Sequence, residues 1–187
     1  MAVSDASVVT ELNETCPHYL NSKGEHLLNT KWVLWHHSFD SGNWELNGYN
    51  KYATISTVEE FWLIYNDLPS INNKDMWFLM RDGIPPRWED PKNKEGGSFK
   101  FRVRGEHAEN TWLALSSYLV TENICINPVD SELISGLGVS PKNNGYVTIS
   151  VWNLDQTRTK YAVFPSDIPG IDFKFSLYQA HCQRKCG

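Results

Sequence analysis

No apolar run in this 187-residue sequence approaches the length needed to cross a bilayer, because Lys, Asp, Asn or Gly interrupts every candidate. Residues 1–13 carry Asp5 and Glu11 and no basic leader segment, so they do not read as a secretory signal. Both absences point to an intracellular protein. Cysteine is sparse and scattered (Cys16, Cys125, Cys182, Cys186), and reduced thiols are the expectation in a cytosolic compartment. No second Cys-x-x-Cys or His-x-x-x-His completes a four-ligand set with His181, Cys182 and Cys186, so no metal is expected. A surplus of positive charge is also missing. The net charge of −5 argues against gripping long nucleic acid by bulk electrostatics, yet leaves room for a small nucleotide-like ligand on a local basic patch. There is no histidine triad, acidic Nudix-like helix or phosphate-cradling glycine loop, so catalysis is not expected and no cofactor is implied. Internal repeats and low-complexity tracts are absent too.

What the sequence does have is tryptophan, eight of them: Trp32, Trp35, Trp44, Trp62, Trp77, Trp88, Trp112 and Trp152. Most must be core, since large aromatics dominate burial energetics, but a few can serve as stacking platforms. Residues 1–25 are polar and irregular and read as a loose tail, leaving residues 26–187 as one domain. From Lys31 the pattern is strand-like, then Asp40, Ser41, Gly42 and Asn43 signal a turn, with Trp44 directly after it. A short run over residues 52–55 precedes a helix opened by a capping box of Ser56 and Glu59, carrying Val58, Phe61, Trp62 and Tyr65 at helical spacing and ended by Pro69. A second helix is expected over about residues 108–120, with Trp112, Leu115 and Leu119 on one face, and strands at 76–81, 98–104, 146–153 and 173–179. Residues 154–172 read mostly as loop. Interleaved strands and few helices give an α+β fold with a mainly antiparallel sheet.

The most informative segment is Asp82-Gly83-Ile84-Pro85-Pro86-Arg87-Trp88-Glu89-Asp90, followed by Asn93-Lys94-Glu95-Gly96-Gly97. The two prolines stiffen the chain and prevent ladder pairing, so Trp88 is presented by a loop. An aromatic face beside a carboxylate suits a flat, cationic ligand with N–H donors, such as N7-methylguanine. The residues alone fit a core tryptophan beside a solvated acid equally well.

This segment closely resembles the cap-binding loop of the translation initiation factor 4E family. Lys31-Trp32-Val33-Leu34-Trp35 is similar to the family's first strand, and Ser56-Thr57-Val58-Glu59-Glu60-Phe61-Trp62 with Tyr65-Asn66 to its first helix. Ile149-Ser150-Val151-Trp152-Asn153 and Tyr178-Gln179-Ala180-His181 are similar to two late strands. The resemblance implies a curved sheet with two to three helices on its convex face and a slot for the mRNA cap on the concave side. It implies that Trp44 and Trp88 sandwich the 7-methylguanine, that Glu89 accepts from the guanine edge and that Trp152 lines the methyl group, although Trp152 also fits pure core. His26, Val58, Trp62 and Leu113 match the surface that docks a helical peptide of a 4G-type scaffold or of a 4E-binding repressor, with ordinary packing the alternative for Val58 and Leu113. The implied protein is a cytoplasmic, non-enzymatic monomer, with a nuclear pool allowed, that recruits a scaffold; the alternative is a cap-binding repressor that does not.

Several positions depart from the family pattern. Leu27 replaces a proline, Ala114 a glutamate and Ser117 a leucine at the partner surface, and Pro165 and Pro169 erode the third helix. Ser98 stands where an arginine follows the Gly-Gly. Ser98, Lys100, Arg102 and Arg104 alternate with Phe99, Phe101 and Val103, so the polar row shares one strand face. Lys100 or Arg102 is expected to supply part of the lost charge, with Lys142, Arg184 and Lys185 as helpers, and to favour a longer 5′ segment. A solvated stripe that protects an edge strand from pairing fits the same row.

Overall fold

Side chains on a strand point to opposite faces in turn, and here that alternation sorts the apolar residues into two clusters. The structure, a computed structural model, describes residues 19–71, 74–142 and 144–182. Among them are seven strands: β1 (Leu27–His37), β2 (Asn50–Thr57), β3 (Met76–Arg81), β4 (Gly97–Arg104), β5 (Ile134–Pro141), β6 (Tyr146–Asn153) and β7 (Leu177–Ala180). They form one curved sheet in the order β2-β1-β3-β5-β6-β4-β7, every pair antiparallel. Trp32 and Leu34, Trp77 and Leu79, Phe99 and Phe101, and Ile149 and Val151 enter the main core on the helical face. Their neighbours Val33, Trp35, Met76, Phe78 and Trp152 build a smaller cluster on the opposite face. Five of the eight tryptophans are buried: Trp32, Trp35, Trp77, Trp112 and Trp152. Losing such a side chain to alanine costs about 3–5 kcal/mol, so most of the tryptophan is spent on the fold.

Three α-helices are described: α1 (Val58–Asp67), α2 (Gly105–Val120) and α3 (Pro128–Glu132). The capping box of α1 is one residue later than expected. The Thr57 hydroxyl accepts from Glu60 N and the Glu60 carboxylate accepts from Thr57 N, whereas Glu59 accepts from the His26 backbone and ring instead. Phe61 of α1 and Trp112, Leu115 and Leu119 of α2 join the main core. The third described helix is the short Pro128–Glu132, capped by Asn127 with Pro128 in its first turn, and no α-helix is described near Pro165 and Pro169. Around those prolines the chain makes only a 3₁₀ turn, Tyr161–Val163. The expected strand at 173–179 divides into a second such turn, Phe173–Phe175, and β7. β5 was not anticipated, because Gly136 and Gly138 weaken any strand signal.

Arg81, at the end of β3, ties the helical side to the sheet. Its Nη2 donates to Glu122 Oε2 at 2.7 Å, its Nη1 to the Thr30 hydroxyl and its Nε to the Ile134 carbonyl, while the guanidinium lies 4.6 Å over Trp32. One side chain thus joins β1, β3, β5 and the end of α2.

Candidate functional site

A cavity of about 480 Å³ opens on the sheet face opposite the helices. Its floor is the smaller apolar cluster, with Phe78 and Trp152 lying edge to face, 6.3 Å between ring centroids. Gly138 lets the floor close, since a Cβ there would sit 2.8 Å from the Phe78 ring. Two loops wall the cavity, one carrying Trp44 and the other Trp88.

The first loop leaves β1 through two 3₁₀ turns, Phe39–Ser41 and Leu46–Gly48. Trp44 is 52% exposed, a high figure for an indole, and one of its faces is stacked on His37 at 4.5 Å and 14°. His37 is fully buried, and its Nε2 donates to the Asn43 carbonyl at 2.9 Å, which holds the turn just ahead of Trp44. The loop base is anchored by Asp75, which accepts from Phe39 N and from the His36 ring.

The second loop is braced from within. Asn93, fully buried, donates to the carbonyls of Pro85 and Arg87 at 2.9 and 2.8 Å, and its own carbonyl accepts from the His181 ring at 2.7 Å. Gly97 follows because its Cα runs against the Tyr178 ring, where no Cβ fits. Trp88 is half-buried and its indole N–H donates to Glu89. Arg87 crosses between the walls: its Nη2 lies 3.1 Å from Glu45, next to Trp44, and its Nε 3.6 Å from Glu89, next to Trp88. Burial, and after it the negative charge of Glu89, push the Tyr49 hydroxyl on the cavity wall up to about 12.

The far end is polar. Ser98 and Lys100 of β4 line it together with Thr148 and Ser150 of β6, and Lys142 enters from the β5–β6 hairpin. Lys100 Nζ donates to Gln179 at 2.6 Å and Lys142 Nζ to Ser140 at 3.0 Å. Of the residues singled out from the sequence, Trp44, Trp88, Glu89, Trp152, Lys100 and Lys142 all line this one cavity. Arg102 does not; it lies one pleat further along, beside a neighbouring hollow. Arg184 and Lys185 lie outside the described residues. β4 is not an edge strand over 97–100, where β7 pairs with it, so protection of an edge does not explain Lys100.

The sequence model described as Eukaryotic initiation factor 4E matches residues 27–164, well over half of the chain. The chain belongs to that family. It is 32% identical over 136 residues to eukaryotic translation initiation factor 4E of Eremothecium gossypii, covering 68% of this chain. The match spans 62% of that relative's length, just under two thirds. Solved structures are similar as well, among them the following two. The complex of Caenorhabditis elegans eIF4E-3 with the 4E-binding protein Mextli has 26% identity and a TM-score of 0.64, covering 72% of this chain and 78% of the other. The complex of Ascaris suum eIF4E-3 with an m7G cap has 27% identity and a TM-score of 0.63, covering 72% and 76%.

Within this 4E fold, the helical face carries the other group read from the sequence. Trp62 is 46% exposed, Val58 and His26 are exposed, and Leu113 is half-buried against the core. His26 Nδ1 lies 2.7 Å from Glu59, and that hydrogen bond holds the Glu59 carboxyl below its usual range. Sequence reasoning missed Arg87, Tyr49, Ser150 and His181 as parts of the cavity, and His37 as the support beneath Trp44. The alternation of Thr148, Ser150 and Trp152 on one strand was a usable signal for Ser150; nothing local marks the bridging role of Arg87.

Proposed function

We propose that the chain binds the 7-methylguanosine 5′ cap of messenger RNA without catalysing a reaction, and recruits a scaffold initiation factor through its helical face. The observation that carries this reading is the pair of tryptophans, Trp44 and Trp88, on the two loops that wall one cavity, with Glu89 beside the second. A methylated guanine is flat and cationic, so indole faces hold it by stacking and by cation–π attraction. Glu89 accepts from the guanine N1–H and amine, exchanging its contact with the Trp88 indole. Trp152 lines the methyl group, Lys100 and Lys142 meet the phosphates, and Arg102 lies further along the RNA. The Ascaris suum relative's complex with an m7G cap supports the ligand.

Trp62, Val58, His26 and Leu113 form the partner surface, taking a short helical peptide of a 4G-type scaffold or of a 4E-binding repressor. The Caenorhabditis elegans relative's complex with Mextli supports a partner of that kind. Such a protein acts as a monomer in the cytoplasm. A cap-binding repressor is the second reading, favoured by Ala114 and by Ser117, whose hydroxyl turns back to the Leu113 carbonyl at 2.8 Å and leaves the groove less apolar and less charged. Titrating 7-methyl-GTP against GTP with tryptophan fluorescence as the signal tests the ligand. The methylated nucleotide is expected to bind about tenfold or more tighter, from the cation–π share in a desolvated slot. Equal affinities would sink the reading.

A further inference from the structure

The cavity does not end at its lysines. Lys100, Lys142 and Thr148 also line a second hollow of about 230 Å³, whose remaining wall includes Arg102, Tyr146 and Phe175. We propose that this hollow holds the nucleotide joined to the cap, with its base against Phe175 and its phosphate among Lys100, Arg102 and Lys142. The inference rests on the cap reading above and extends it from a nucleotide ligand to the 5′ end of an RNA.

Four observations converge on it. The two spaces share three residues, so a chain leaving the first passes directly into the second. Among the described residues no carboxylate lines the hollow, although the whole chain carries a net charge of −5, so its three cations form a local positive patch. The Arg102 guanidinium is already positioned, lying 3.8 Å over the Tyr146 ring. Phe175 is 67% exposed and Leu177 56%, whereas Phe173 of the same turn packs on Phe101 at 5.7 Å. An aromatic left outside the core beside a basic row is the combination with which proteins hold single strands: cations follow the phosphates while the ring stacks a base of any identity.

The backbone leaves room for this. β6 pairs with the whole of β4, but β7 pairs with it only over 97–100, beginning at Leu177 opposite Lys100. Beyond Lys100 the outer edge of β4 is therefore uncovered by β7, and the 173–175 turn stands at that opening. The volume is below the roughly 300–1,000 Å³ of a self-contained small-molecule pocket, which fits a subsite for one nucleotide and not a separate ligand.

The test compares 7-methyl-GTP with a capped RNA of five nucleotides, binding to the full chain and to Phe175→Ala, at fixed salt. The wild type is expected to bind the capped RNA several-fold tighter than the nucleotide. Phe175→Ala is expected to remove most of that several-fold gain and to leave 7-methyl-GTP unchanged, with Phe175→Trp restoring the gain. Because Phe175 is exposed, an unchanged melting temperature verifies the fold. If the wild type binds 7-methyl-GTP but gains nothing from the RNA, or if Phe175→Ala keeps the gain or weakens both ligands alike, the subsite is wrong and the cap reading stands. If the wild type binds neither ligand, the cap reading falls and the subsite with it.

Discussion

Trp44 and Trp88 are held in different ways, and their substitutions should be distinguishable. Trp44 is half exposed and rests on His37, while Trp88 packs against the smaller apolar cluster beneath it. Each change to alanine is expected to cost about 1–3 kcal/mol of cap affinity, the usual worth of one base–aromatic stack. Trp44→Ala should leave the melting temperature untouched, whereas Trp88→Ala should lower it slightly. Cap binding that survives either change in a folded protein would remove that residue from the sandwich. Glu89 makes a sharper prediction. Glu89→Gln keeps the shape but swaps one acceptor for a donor, which opposes the guanine N1–H and amine. Preference for guanine over adenine caps should collapse in that variant, as competition between the two nucleotides would reveal.

The two walls are separate loops, so their relative position depends on a few long-range contacts. Arg87 spans them through Glu45 and Glu89, and Asp75 pins the base of the first by binding His36 and Phe39 N. The His36 hydrogen bond comes first among the causes that hold the Asp75 carboxyl below its ordinary value. A carboxylate with a depressed folded pKa contributes stability above its unfolded pKa, and that stability is lost as pH falls through the folded value. Melting temperature should therefore fall on acidification below the usual carboxylate range, and Asp75→Asn should flatten that part of the profile. An unchanged acid limb in Asp75→Asn would show that the anchor contributes nothing. Tyr49 works in the opposite direction. Its hydroxyl, raised to about 12, remains protonated in the folded chain while the unfolded one ionises, so stability drops as pH climbs from the ordinary tyrosine range towards that value.

At the scale of the molecule the sheet separates two candidate binding surfaces. The cavity lies on one face, built on the smaller cluster, and Trp62 with Val58 and His26 lies on the other, above the main core. Distant sites without shared partners behave additively. Trp62→Ala is thus expected to abolish capture of a 4E-binding peptide, because interface energy concentrates in exposed tryptophans, while cap affinity stays within about twofold. Joint loss of both in a pull-down on immobilised cap would instead assign Trp62 to folding.

What could be read directly from the sequence was local. The Trp88 loop is written in Asp82-Gly83 and two prolines, β3 in an unbroken apolar run, β6 in the alternation of Val147, Ile149 and Val151 with Thr148 and Ser150, and the two faces of β4 in the alternation of Phe99, Phe101 and Val103 with Lys100 and Arg102. Where two local patterns competed, the sequence could not choose. Ser56 with Glu59 and Thr57 with Glu60 both satisfy the capping-box spacing, and the second prevails because His26, distant in sequence, takes Glu59. β5 was invisible because its glycines look like a break until Phe78 is packed against Gly138. That Trp44 and Trp88 wall one cavity depended on His37, Arg87 and Asn93 meeting partners across loops. Propensity and periodicity act over a few residues and can be read in one dimension. Cavity walls are made of contacts between segments that only the closed sheet brings together.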